Sequence, residues 1–146
     1  MKGHKIKKTE SPLISSLMII GGNNWNPDDC TNKVGLKPEN IWRQPEQYII
    51  NGKRRIEWII GFRKKEFYDT NDALLFLFDM IWEHKEKIKS FVNEQKLDLS
   101  IICNITIWKD RPLYSFSSEA LKKLAWFECE LVIDIFDYSE ENEIND

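Results

Sequence analysis

Acid–base and metal chemistry near neutral pH usually call on histidine, because its charge changes in that range. This chain has two histidines, His4 and His84. His4 lies in a lysine-rich start, while His84 sits three residues after Ile81 and four before Ile88, beside an apolar helical stripe. That setting fits a partly buried, hydrogen-bonded structural histidine better than a general base. A Ser-His-Asp or Cys-His centre would have to be built around His84, and its sequence neighbours offer no partner. The three cysteines, Cys30, Cys103 and Cys129, show no C-x-x-C spacing. They read as reduced core residues of a cytoplasmic protein, and without histidines at ligand spacing they do not make a zinc site.

Carboxylates are more plentiful. Glu57, Asp98 and Asp134 fall on the polar sides of predicted strands, where they could together hold a metal ion; solvated sheet carboxylates are the commoner outcome. Gly21-Gly22-Asn23-Asn24 lies between a strand and a helix. It lacks the lysine and serine of a phosphate loop and the third glycine of a dinucleotide site, so it reads as a structural turn. Lys53-Arg54-Arg55 and Arg63-Lys64-Lys65 flank a strand, with Trp42 and Tyr48 near by. Contacts to single-stranded nucleic acid can be drawn from these residues, but cations that keep an edge strand from sticking are the ordinary reading. No catalytic residue, metal ligand or cofactor is assigned.

The elements that must carry these groups are well marked. Asn26 is a helix N-cap, Pro27 fits the first helical position, and Asp28 and Asp29 suit the positive end of the helix dipole. Trp25 and Cys30 take the two positions of a hydrophobic staple. Gly35 can adopt a left-handed cap and Pro38 prevents continuation, giving a two-turn helix over 27–34. Residues 17–22 read as a buried first strand. Asn51-Gly52 predicts a hairpin between arms 47–50 and 53–62, with Ile56, Trp58, Ile60 and Phe62 on one face.

A long helix is predicted over 70–92, its stripe of Leu74, Leu77, Phe78, Ile81, Ile88, Phe91 and Val92 interrupted only by Lys85. Residues 97–108 alternate cleanly and form a strand with one wet side. Ser117 caps a further helix that should bury Leu121, Leu124 and Ala125, with Phe116 and Leu121 as its staple. Leu131, Ile133 and Ile135 should face the core from a last strand over 129–138.

The apolar strand ending in Gly22, the Asn26-Pro27, Thr31 and Gly35-Leu36-x-Pro38 positions, Arg54 or Arg55 ahead of Trp58, and the closing Asp137-Tyr138 resemble a known bacterial family. That family is the domain of unknown function DUF 4279, and the likeness covers about residues 14–138. Cys30 stands where an aliphatic residue is expected. The resemblance implies a fold and brings no activity or catalytic residues with it.

Length and composition set the remaining bounds. With 146 residues, six tryptophans and eight phenylalanines, the chain has material for one well-packed core. The net charge of −3 disfavours nonspecific nucleic-acid binding. A basic start followed by apolar residues faintly imitates an export signal. Pro12, Ser15 and Ser16 interrupt it and no small-x-small cleavage site follows, so a cytoplasmic protein without membrane spans is expected.

The expected fold is α+β in the order β-α-β-β-α-β-α-β. One largely antiparallel sheet of about five strands carries helices mainly on one face. The domain should span 13–138, with a basic tail at 1–12 and an acidic tail at 139–146. The functional reading is a non-catalytic protein-binding module, of which an immunity protein neutralising a toxin is one form. Its partner surface would be Asp98, Ser100, Asn104, Thr106 and Asp134. The alternatives are a nucleic-acid-binding domain using Lys53, Arg54 and Arg55, or a metal-dependent enzyme using sheet carboxylates.

Overall fold

The computed structural model describes residues 10–140. The two expected tails lie outside that range except for 10–12 and 139–140. Glu10 is fixed, its carbonyl accepting from the Asp110 amide at 2.8 Å.

Strand β1 (Leu13–Asn23) leads into helix α1 (Pro27–Val34). Both ends of α1 form as its sequence dictates. The Asn26 side chain accepts from the Asp28 amide, Gly35 takes φ +80°, and its N–H reaches the Thr31 carbonyl. Thr31 in turn accepts from the Trp58 indole N–H at 3.0 Å, which pins the helix to the sheet. His84 has the structural role expected of it: its Nδ1 donates to the Val34 carbonyl at 2.8 Å, satisfying an end group of α1.

The hairpin differs from expectation. Asn51 and Gly52 do turn with positive φ, and Ile50 bridges Lys53, but residues 46–48 coil into a short 3₁₀ turn. Strand β3 (Arg55–Gly61) pairs instead with β2 (Asn40–Arg43). Gln44 extends that pairing, with its amide on the Arg55 carbonyl and its side-chain oxygen accepting from the Arg55 amide. The following Pro45 lacks the N–H a ladder needs, so the strand stops there.

Beyond Gly61 the chain bulges and resumes as the short β4 (Lys65–Glu66), which pairs with the start of β1. Phe62 is buried at the bulge against Phe67 and Phe76, at centroid distances of 5.6 and 4.9 Å.

The long helix is two helices, α2 (Thr70–Ile81) and α3 (Lys85–Gln95), joined by a 3₁₀ turn at Trp82–His84. The break redirects the apolar stripe. Leu74, Leu77 and Phe78 press on the sheet, whereas α3 packs on α1. Lys85, the one discordant residue of the stripe, lies with its ammonium 3.9 Å from the centre of the Trp82 ring. There a cation is an attractive neighbour rather than a misfit.

Strand β5 (Asp98–Ile107) follows, then α4 (Ser118–Phe127) and β6 (Glu130–Asp137). Helix α4 is rotated from the expected setting. It buries Ala120 and Phe127 and leaves Leu121 49% exposed, because Phe127 stacks on Phe78 and Trp126 packs on Trp82.

The sheet order is β2-β3-β1-β5-β6, antiparallel except for the β5–β6 pair. The fold is therefore α+β, a six-stranded, mostly antiparallel mixed sheet. The helices cover the face that carries Met18, Ile20, Trp58, Ile60, Ile101, Cys103 and Ile105, all buried. Each of these large side chains contributes about 1.5–3 kcal/mol through burial. On β6 only Leu131 joins this core: Ile133 and Ile135 are 40% and 48% exposed, because the strand is an edge that α4 does not reach across.

Candidate binding face

Side chains alternate across a strand, so the register that places Met18 and Ile60 beneath the helices places their neighbours on the opposite face. On that uncovered face Ile19 stands between Ile59 and Ser100, and Leu17 and Val132 stand on either side of Ile102. All five apolar side chains are partly exposed. The face was expected to be wet and polar; it has an apolar middle. The signal lay in the sequence, where Leu17-Met18-Ile19-Ile20, Trp58-Ile59-Ile60 and Ile101-Ile102 place apolar residues at both parities of their strands.

Ion pairs border this middle. Arg55 lies across Gly21, where an added Cβ would come within 2.4 Å of its guanidinium. From there it reaches Asp98 at 2.8 Å and Glu57 at 3.3 Å. The hydrogen bond to Asp98 first, then the bond and charge of Glu57, raise the affinity of Arg55 for its proton. Arg63 pairs with Glu39 at 2.8 Å. Two shallow troughs of about 740 and 510 Å³ share Asn40 and Ile59. Leu17 and Phe62 line the first with Arg63 and Lys64, and Trp42 and Arg55 line the second.

The anticipated partner residues are only partly brought together. Asn104 and Asp134 are register neighbours, and Ser100 lies further along the same face. Asp98 is at the far end and engaged by Arg55. Thr106 is wholly buried, its hydroxyl without a hydrogen-bond partner, and so offers nothing to a partner.

The carboxylates imagined as a metal site do not converge. Glu57 and Asp98 share Arg55, whereas Asp134 is opposite Asn104. Among the described residues no group of three histidine, cysteine or acidic side chains could hold a metal ion.

The basic hairpin is likewise largely committed. Arg54 donates to the Gln44 carbonyl at 2.9 Å and Arg55 holds its two carboxylates, leaving Lys53 exposed. Burial pushes the Cys30 thiol up to about 12 and the Cys129 thiol up to about 11, the wrong direction for a nucleophile at neutral pH. Among the described residues no helix is long and apolar enough to cross a membrane.

Five of the residues that carry the family resemblance have architectural work. Asn26 and Gly35 cap α1, Thr31 receives Trp58, Tyr138 stacks on Trp108 at 4.9 Å, and Asp137 pairs with Arg111 at 2.6 Å. The model of the DUF4279 family, a domain of unknown function, matches residues 11–138, and the chain belongs to that family.

Part of the chain is also similar to quinoprotein dehydrogenases. It is 34% identical over 88 residues to the quinoprotein alcohol dehydrogenase PedE of Pseudomonas putida, and 33% identical over 88 residues to a quinoprotein ethanol dehydrogenase of the same species. A quinoprotein ethanol dehydrogenase of Pseudomonas aeruginosa is 32% identical over 79 residues. These matches take in 53, 53 and 48% of this chain but only 14, 14 and 13% of the enzymes, so the chain spans about a seventh of their length. No solved structure matches the chain.

Proposed function

We propose that this protein is a non-catalytic binding module whose uncovered sheet face docks another protein. The observation that carries the reading is the row Ile59, Ile19, Leu17, Ile102 and Val132, apolar yet uncovered and bordered by ion pairs. A contiguous apolar area rimmed by charge is the usual look of a protein-contact surface. The bordering ion pairs hold Arg55, Glu57 and Asp98 in place before a partner arrives, which lowers the ordering cost of association. The acidic overall balance favours a basic partner by speeding encounter, and a toxin neutralised by an immunity protein is one such partner.

The test is capture from the native host by the full chain and by an Ile102→Lys variant. The unaltered protein should retain one partner in stoichiometric amount. The variant, folded by circular dichroism, should lose it with at least about a tenfold weaker affinity. Equal retention by both proteins, or none by either, would refute the reading.

A further inference from the structure

Strand β6 is the last strand of the sheet, and its outer backbone edge meets no other strand among the described residues. Long edge strands normally carry lysine, proline or a bulge that keeps a second strand from pairing with them. β6 has no lysine, proline or bulge, and the only charges that guard it are acidic: Glu130, Asp134 and Asp137. Its sequence is Glu-Leu-Val-Ile-Asp-Ile-Phe-Asp, and it pairs with β5 without a break from Glu130 to Asp137. Its helix side is apolar over Ile133 and Ile135, while on its open side Glu130 and Asp134 alternate with the apolar Val132 and Phe136. On the helix side Ile133 and Ile135 are 40% and 48% exposed. On the open side the exposed Glu130 and Asp134 stand four residues apart, and neither has an ion pair among the described residues. Asp137, by contrast, is already held by Ser139 and Arg111.

We propose that β6 accepts an extra antiparallel strand from a protein partner, and that this strand is basic on one face and apolar on the other. The inference rests on the protein-binding reading and names the chemistry of the partner. A strand added at the ordinary spacing of about 4.8 Å places its side chains directly opposite those of β6, on the same faces. Cations four residues apart then stand against Glu130 and Asp134. The apolar residues beside them cover Ile133 and Ile135. Backbone hydrogen bonds supply the affinity, and the alternation supplies the selectivity.

A second copy of this chain is a poorer occupant. Pairing β6 with itself about Asp134 sets that carboxylate against its own equivalent, and pairing about Ile133 sets Asp134 against Val132 and Glu130 against Phe136. Neither register gives the carboxylates a cation.

The experiment titrates the full chain with the peptide Thr-Val-Lys-Val-Thr-Val-Lys-Val-Thr and with its counterpart carrying glutamate for both lysines, read by amide NMR. The lysine peptide should bind about tenfold more tightly or better, perturb and protect β6 amides, and lose most of that advantage in about 0.5 M salt. The Ile133→Lys/Ile135→Lys protein, still folded by circular dichroism, should not bind it. Equal binding of the two peptides, no binding of either, or perturbation centred on another element would overturn the proposal. So would a free protein that sediments as a dimer with its β6 amides already protected. A native partner that still binds the double lysine variant but not Ile102→Lys would sink the edge proposal and leave the docking face standing. Loss of all face-dependent capture would sink both.

Discussion

Gly61 has φ +152°, and a Cβ there would lie 2.2 Å from the Ser16 carbonyl oxygen. No side chain fits without moving β1, so Gly61→Ala should cost about 2–3 kcal/mol in urea denaturation. Wild-type stability would show that the bulge is not tight.

Asp137 sets a second expectation at this scale. The Ser139 hydroxyl and amide, followed by Arg111, lower its carboxyl from 3.8 to about 2. A depressed carboxyl stabilises the fold fully above its unfolded pKa, and that contribution is lost as pH falls through the folded value. Asp137→Asn should therefore be less stable than the parent at neutral pH, the gap closing between about pH 4 and pH 2, as followed by melting temperature. A gap constant with pH would contradict the assignment. Residue roles set by close sequence neighbours, such as the caps Asn26, Gly35 and Ser117, were legible because their partners lie within four residues. The role of Arg55 was not, since Gly21, Glu57 and Asp98 come from three strands.

At the scale of elements, period and capping located the helices and the main strands but not their partners. Asn51-Gly52 makes its turn, yet the strand that pairs with β3 is Asn40–Arg43, placed by Gln44 and by the proline after it. The split of the long helix is not written in the sequence, because Leu74 to Ile81 and Ile88 to Val92 each keep a helical period. What divides them is tertiary: His84 must reach Val34 while Trp82 packs on Trp126 and Phe127. His84→Ala should remove the partner of a helix-end carbonyl and cost about 1 kcal/mol, measured by chemical denaturation. An unchanged midpoint would mean that water or a neighbour satisfies Val34 equally well. Likewise, the rotation of α4 follows from the aromatic packing of Trp126 and Phe127, which spacing alone placed off the buried side.

For the molecule as a whole, the helices gather on one face of the sheet and leave the other open. This asymmetry was legible from the alternation in β5. The apolar middle of the open face is written in the sequence too, as apolar residues at both parities, but it is easily missed because in each strand those residues sit next to core residues and merge with them into one apolar run. The consequence is a surface suited to contact, with a rim of organised charge and an acidic edge strand at β6. Carbodiimide labelling of carboxylates, on the protein alone and bound to its captured partner, tests that account most directly. Asp98, Asp134 and Glu57 on the sheet face should lose labelling in the complex, while Glu119 on α4 keeps it. Protection of Glu119 with the face carboxylates unchanged would place the partner on the helical side and contradict the account.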